Sequence, residues 1–212
     1  MAFQSIWYFT GLPKEIVDSI EKDLSINFDS QMEDSFVHGT KGLKVVKEKR
    51  SSKNAWVPTT HWLGGFLWHY ISRANRENFL YDLTCIDGES IQYTQYGIGD
   101  YYKWHNDQGL STLYKPKAIG NIMPEGSGVA DDFLNKNVEL VRKLSFVLQL
   151  SDPDDYEGGN LQLIDETEES YFAPRQRGTI ILFDSRTRHR VLPVKSGIRK
   201  SIVGWTIGPR WK

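Results

Sequence analysis

Short apolar runs separated by Gly, Pro and Asp fill the chain from about residue 89 onwards. The runs cover residues 91–96, 144–150, 160–164, 179–183 and 200–207. Runs of this length between turn residues are typical of strands in a sandwich or a jelly roll. The pattern therefore predicts a β core over about residues 89–210, within one domain spanning residues 1–212.

Helical spacing is confined to the N-terminal part. Residues 14–24 follow Pro13 and have apolar side chains at 16, 17, 20 and 24, and residues 59–79 repeat aromatic side chains at three to four positions. We therefore expect helices first and strands second, with helical support over about residues 1–85. The predicted class is mainly β with N-terminal helices (α+β).

Charge and cysteine usage argue against several partners. The 26 Lys and Arg balance 27 Asp and Glu, so no overall basic field would attract nucleic acid. Cys85 lies in an apolar stretch, which predicts a buried free thiol and a reducing compartment. The first residues lack a signal-peptide pattern, and no apolar run reaches the ~18 residues that span a bilayer. We expect a cytoplasmic protein without a membrane partner.

Two segments carry no regular pattern of their own. Residues 41–53 contain six basic residues and one Glu, which favours a solvated hairpin or loop over a docking site for an acidic partner. Residues 108–137 are rich in turn residues, and loops of that length are usually lids or disordered. For His38, His61 and His69, packing or surface roles are favoured over metal binding.

A metal site is suggested by three residues. His105 and Asp107 are two apart, so on an extended segment both side chains point the same way. His189 follows the predicted strand at 179–183 after a short polar turn. Two histidines and one carboxylate form the ligand set that holds iron(II) with open positions. The pair at 105 and 107 would be weak evidence without the third residue.

An arginine on the last strand suggests an anion near that site. The strand period puts Arg199 on the same face as Trp205, with Lys200 on the other face. A guanidinium pointing into an apolar barrel is costly unless it pairs with an anion, and a carboxylate matches its fork. The alternative is that Lys200 points inward, or that both residues make surface pairs.

These residues together resemble a known enzyme family. Residues 96–107 (YGIGDYYKWHND), then His189, then Arg199 are similar to the prolyl 4-hydroxylase-type group of iron and 2-oxoglutarate dioxygenases. Residues 142–161 (RKLSFVLQLSDPDDYEGGNL) and 189–194 (HRVLPV) resemble the bacterial PKHD-type hydroxylases. Residues 50–56 (RSSKNAW) are similar to the segment ahead of the core in animal and plant prolyl 4-hydroxylases.

The resemblance implies a double-stranded β-helix (jelly-roll, cupin-like) core and a set of cofactors. These are Fe(II), 2-oxoglutarate as cosubstrate, O2 and ascorbate as reductant, with succinate and CO2 as co-products. The implied metal ligands and catalytic residues are His105, Asp107 and His189. The implied cosubstrate residues are Arg199, Tyr96, Trp205 and Gln149. Of these, Tyr96 could equally be an ordinary strand aromatic, and Gln149 stands where many relatives have a Tyr.

The substrate implied by the resemblance is a prolyl residue in a peptide or protein. Hydroxylation of a free amino acid or another small molecule is the alternative, and a non-catalytic cupin-like binding domain is a further one. Nucleic-acid demethylases with the same three ligands usually have a second Arg six positions after the cosubstrate Arg. Trp205 occupies that position here, which argues against nucleic acid as a substrate.

Overall fold

The computed structural model describes residues 5–35, 37–39, 42–44, 47–107, 140–165 and 167–211. The predicted long loop at 108–137 lies outside these residues, as do parts of the basic segment at 41–53 and the side chain of His38. Neither helix in the described ranges has both the length and the apolar character needed to cross a membrane.

Two helices match the predicted helical segments. Helix α1 spans Lys14–Phe28, and its stripe of buried side chains at Val17, Ile20 and Leu24 follows the helical repeat. Helix α2 spans Trp62–Ala74 and continues into a π-helical turn at Asn75–Phe79. His61 is the N-cap of α2, and its Nδ1 accepts a 3.4 Å hydrogen bond from the Leu63 amide, which agrees with a structural role for this histidine.

The strands extend over both parts of the chain. In the first part they are β1 (Ile6–Phe9), β2 (Glu33–Asp34), β3 (Val37–Gly39), β4 (Gly42–Lys44), β5 (Arg50–Ser51), β6 (Lys53–Pro58) and β7 (Cys85–Ile86). Next come β8 (Ser90–Tyr96), β9 (Tyr101–His105), β10 (Leu140–Gln149), β11 (Tyr156–Gly158) and β12 (Leu161–Ile164). The last are β13 (Ser170–Phe172), β14 (Ile180–Asp184), β15 (His189–Val191), β16 (Val194–Gly197) and β17 (Arg199–Pro209).

Two antiparallel sheets form the body of the fold. The major sheet has the order β1-β14-β10-β17-β8-β6-β2, with β7 paired to β17, and the minor sheet has the order β13-β12-β15-β9-β5. The expected order of helices first and strands second is wrong in detail, because β1 precedes α1 and pairs with β14. The predicted fold class, a mainly β jelly roll with N-terminal helices, is confirmed.

The central strands of the major sheet contribute side chains to two apolar layers. On β10, Val147 packs with Leu163 and Val191 of the minor sheet, whereas its neighbours Phe146 and Leu148 pack in the layer under the helices. This alternation follows from the period of two along a strand. The interior between the sheets is therefore separate from the layer beneath α1 and α2, and it is the interior that contains the predicted site.

Cys85 is only partly buried, which corrects the expectation of a buried thiol. It lies in β7, a strand of two residues that pairs with the last part of β17. The apolar residues around it in sequence suggested burial, but the side chain has intermediate exposure. Cys85 forms no disulfide within the chain, as expected for a sequence with a single cysteine.

Candidate metal centre

Pairing between β9 and β15 brings the two predicted histidines together. His105 is the last residue of β9, His189 is the first residue of β15, and the two are direct partners across the ladder. Asp107 lies two residues beyond the end of β9, where its backbone amide donates a 2.9 Å hydrogen bond to the Ser185 carbonyl. The three side chains therefore converge from two neighbouring strand ends.

The possible ligand atoms of these residues all lie within 4.8 Å of one another. The Nε2 atom of His105 is 3.7 Å from Oδ1 of Asp107, and the Nε2 atom of His189 is 3.4 Å from Oδ2. All three side chains are largely buried, with 16 % of His105 and 8 % of Asp107 exposed. One metal ion is the natural occupant of a gap between three such donors.

Backbone carbonyls determine which nitrogen of each histidine faces the gap. The Nδ1 atom of His105 is 2.7 Å from the Lys103 carbonyl, and the Nδ1 atom of His189 is 2.9 Å from the Thr187 carbonyl. A carbonyl only accepts hydrogen bonds, so each Nδ1 must carry the proton. Each Nε2 is then left with a free lone pair, the form in which histidine binds metals.

Asp107 is held in position by a serine from the major sheet. The Ser145 hydroxyl donates a 2.6 Å hydrogen bond to Oδ2 of Asp107 and lies 3.1 Å from the Ser185 hydroxyl. Ser145 is in β10, in register with Trp205 on β17. The carboxylate is thus fixed by a contact between the two sheets.

The site favours a neutral His105 and a charged Asp107. Burial, together with the nearby His189, lowers the pKa of His105 to about 3. Burial alone would raise the pKa of Asp107, but His189, His105, Arg142 and the Ser145 hydrogen bond lower it to about 2. Near neutral pH His105 and Asp107 therefore have the protonation states that coordination needs.

Arg199 lies in the same cavity, facing the interior as its strand period predicted. It is the first residue of β17 and is 2 % exposed, whereas 32 % of the Lys200 side chain is exposed on the opposite face. Its Nη2 atom donates a 2.9 Å hydrogen bond to Oε1 of Gln149. Its buried Nε has no hydrogen-bond partner among the described residues.

The other predicted cosubstrate residues surround this arginine or share its cavity. Tyr96 is the cross-strand partner of Arg199, whose guanidinium lies 5.5 Å from the ring centre. Trp205 lines the cavity, and its buried indole N–H has no acceptor among the described residues. Gly159 packs on the arginine, since an added Cβ would lie 3.1 Å from Cδ of Arg199.

Besides Ser145, two residues of the cavity were missed at the level of sequence. Arg50 was counted in a solvated basic run, yet it is 6 % exposed and lines the cavity with His105 and Arg199. Tyr102 stacks on His105, with ring centres 3.5 Å apart and an interplanar angle of 18°. The sequence signal that could have indicated Arg50 was the resemblance of residues 50–56 to a prolyl 4-hydroxylase segment. In the structure β5 pairs with β9, and this pairing makes Arg50 the partner of Tyr102.

Comparison with known proteins supports a common family for this site and fold. A model of the 2OG-Fe(II) oxygenase superfamily matches residues 91–207. A PKHD-type hydroxylase from Synechococcus sp. (strain JA-2-3B'a(2-13)) is 38% identical over 101 residues, which are 43% of this chain and 44% of that protein. The match therefore spans less than half the length of this relative.

Solved structures extend the likeness to nearly the whole chain. A prolyl-4-hydroxylase from Pseudomonas putida superimposes with a TM-score of 0.67 at 15% identity, covering 98% of this chain and 94% of that one. A prolyl hydroxylase from Trichoplax adhaerens, in complex with a hypoxia inducible factor oxygen degradation domain peptide fragment, gives a TM-score of 0.66 at 17% identity. That alignment covers 96% of this chain and 84% of the other. At such identities the likeness establishes the fold.

Proposed function

Because this chain belongs to the 2OG-Fe(II) oxygenase superfamily, we propose that it is an Fe(II)- and 2-oxoglutarate-dependent dioxygenase that hydroxylates prolyl residues in a peptide or protein. The observation that carries the proposal is the presence of two kinds of site in one cavity. His105, Asp107 and His189 form a set of metal donors, and Arg199 is a buried guanidinium without a carboxylate partner among the described residues.

The donor set fits iron(II). Two imidazole nitrogens and one carboxylate suit this ion, and occupy one side of its coordination sphere while leaving positions for other ligands. The carbonyls of Lys103 and Thr187 hold the rings so that both Nε2 atoms face the gap. The neutral His105 and the charged Asp107 need no proton loss before binding.

The buried arginine fits the far carboxylate of 2-oxoglutarate. A guanidinium and a carboxylate form paired charge-assisted hydrogen bonds. The Nε–H of Arg199, which has no acceptor among the described residues, can donate one of them. Gln149 holds one side of the fork through Nη2, so the arginine is oriented before the ligand arrives. Tyr96 and Trp205 supply aromatic surface around it.

The residues of the chain supply binding, orientation and exclusion of water. When bound, iron(II) with 2-oxoglutarate and O2 supplies the oxidising chemistry, with succinate and CO2 as co-products. His105, Asp107 and His189 would hold the ion, Ser145 would keep the Asp107 carboxylate in place, and Arg199 would fix the direction of the cosubstrate. Val147, Leu161 and Val191 line the cavity with apolar surface and limit water.

Support for a prolyl substrate comes from relatives and from motif resemblance. Two solved structures with the same fold are named as prolyl hydroxylases, and one of them contains a peptide fragment. The 50–56 and 96–107 segments resemble the corresponding segments of protein prolyl hydroxylases. A peptide is therefore the substrate class to test first.

The test is incubation of the purified chain with Fe(II), 2-oxoglutarate and a panel of proline-containing peptides. We expect one added oxygen atom on a prolyl residue by mass spectrometry, with stoichiometric succinate. The His105→Ala and Asp107→Ala variants, shown to be folded by circular dichroism, should form neither product. Oxygen addition to free amino acids but to no peptide would replace the prolyl proposal with the small-molecule alternative.

A further inference from the structure

A second buried arginine shares the cavity with Arg199 and has no role in the function proposed above. Arg50 begins β5 and is paired with Tyr102 of β9, the strand that ends at His105. Its guanidinium lies 5.0 Å from the centre of the Tyr102 ring, and that ring stacks on His105. Arg50 is therefore separated from a proposed metal ligand by one aromatic ring.

The hydrogen-bond partners of Arg50 among the described residues are all neutral. Its Nε donates a 2.8 Å hydrogen bond to the Ser52 hydroxyl, and its Nη2 donates a 3.3 Å hydrogen bond to Oε1 of Gln92. Within the described part of the chain, no carboxylate forms an ion pair with it, and Nη1 donates to no acceptor. By contrast, Arg142 in the same region has Asp87 at 2.7 Å.

Burying a charge without an opposite charge is unfavourable. A guanidinium taken out of water loses much of its hydration, and neutral acceptors replace only part of it. The side chain is nonetheless 6 % exposed and faces a cavity rather than bulk water. An anion bound in that cavity would supply the missing partner.

The charges of the loaded site leave room for one more anion. Iron(II) and the 2-oxoglutarate dianion cancel each other, and the carboxylate of Asp107 cancels the guanidinium of Arg199. Arg142 is neutralised by Asp87, and a histidine that binds iron through Nε2 adds no charge. Among the described residues of the cavity, Arg50 is then the positive charge without compensation.

We propose that Arg50 binds a carboxylate of the primary substrate and so selects substrates that are acidic close to the carbon that is hydroxylated. This inference rests on the proposed function, in which Arg199 already binds the cosubstrate. The carboxylate belongs to an acidic side chain beside the target residue, to a peptide C-terminus, or to a free amino acid. All three present the same planar pair of oxygens to the guanidinium fork.

Binding can be tested without turnover. The chain is loaded with Zn(II), which is redox-inert, and with 2-oxoglutarate, and the arginine Nε–H signals are followed by NMR. The Arg50→Gln variant identifies the Arg50 signal by its loss. We expect sodium acetate to shift that signal saturably and acetamide to leave it in place. If acetate shifts it no more than acetamide does, the carboxylate proposal is wrong.

Turnover then identifies the source of the carboxylate. The probes are matched pairs of prolyl peptides with Glu or Gln beside the proline, prolyl peptides with a free or amidated C-terminus, and free proline against prolinamide. The wild-type chain should favour the acidic member of one pair by about 10- to 100-fold in kcat/KM, the worth of a charge-assisted hydrogen bond. The pair whose two members differ in kcat/KM identifies whether the carboxylate comes from a side chain, a peptide C-terminus or a free amino acid.

Three variants separate this role from general damage. Arg50→Gln should abolish the preference, and Arg50→Lys, which keeps the charge but not the fork, should retain part of it. Arg190→Gln is the matched control, because Arg190 contacts Trp104 and Gln162 rather than the cavity, and it should behave as wild type. A preference that persists in a folded Arg50→Gln chain overturns the proposal, as does equal turnover of both members of every pair.

The two proposals fail in different ways. If no probe gains oxygen, the proposed function fails, and the NMR titration still decides whether Arg50 binds a carboxylate. The affinity for 2-oxoglutarate should be unchanged in Arg50→Gln. A loss of that affinity would make Arg50 a cosubstrate residue and contradict the assignment to the primary substrate.

Discussion

Replacing Ser145 with Ala tests whether the shape of the metal site depends on a residue outside the donor set. The Ser145 hydroxyl is buried and donates a 2.6 Å hydrogen bond to Oδ2 of Asp107. Removing it leaves a buried carboxylate with one donor fewer. A hydrogen bond to a charged group contributes about 1.5–3 kcal/mol, so metal affinity should fall by about 10- to 100-fold.

Ser201→Ala is the matched control for that experiment. Ser201 is 0 % exposed, lies on the neighbouring strand, and its hydroxyl has no hydrogen-bond partner among the described residues. The same atom is removed, but no bond to a ligand is lost. The assay is calorimetric titration with Mn(II) or Co(II) of each purified, folded chain. Wild-type affinity in Ser145→Ala, or an equal loss in both variants, would refute the reasoning.

Three further predictions address the cosubstrate, the helices and the tyrosines. Arg199→Gln should raise the 2-oxoglutarate concentration needed for half-maximal succinate formation by about 10- to 100-fold. Lys200→Gln should leave that concentration unchanged. The reverse result would mean that Lys200, and not Arg199, faces the cavity. Gly65→Ala should stabilise the chain by about 0.5–1 kcal/mol, because the added Cβ in helix α2 meets nothing within 4 Å. Gly64→Ala should destabilise it by about 1–3 kcal/mol, because its Cβ would lie 2.2 Å from the Thr59 carbonyl oxygen; urea unfolding measures both, and the opposite order would contradict the packing of α2. Burial raises the pKa of Tyr81, Tyr93 and Tyr102 well above the ordinary value of 10.0. Their contribution to stability is therefore present below about pH 10 and is lost as the pH rises towards the folded-state pKa. An ultraviolet titration should show that they ionise only as the chain unfolds, and uniform ionisation of all ten tyrosines near pH 10 would disprove their burial.

The jelly-roll core could be predicted because its strands have a strong local signal. The run at residues 180–183 of β14, for example, is buried on both faces and consists of consecutive apolar residues. Strands β1 and β6 were not predicted, because their signal is weak. The four residues of β1 have mixed burial at the edge of the sheet, and β6 begins with Lys53 and ends with Pro58. Both are strands mainly because a neighbouring strand is there to pair with them.

The residues of the candidate site also fall into two groups, those that local sequence predicts and those that depend on how strands and sheets pair. The spacing of His105 and Asp107 is local and could be read directly, and the period of β17 gave the orientation of Arg199. The burial of Arg50 could not be read locally, because the charges around it predict exposure while pairing with β9 places it inside. Ser145 was read as one more residue of a buried strand. Its contact with Asp107 depends on how the two sheets face each other.

The most direct test of the account is a titration of Fe(II) into the chain under anoxic conditions. The wild-type chain should bind one iron ion per molecule, and folded Asp107→Ala and His189→Ala chains should bind none at the same concentration. The donor geometry predicts this outcome because each residue supplies one ligand atom to a single gap. Stoichiometric iron binding with wild-type affinity in either variant would contradict the assignment of the metal centre.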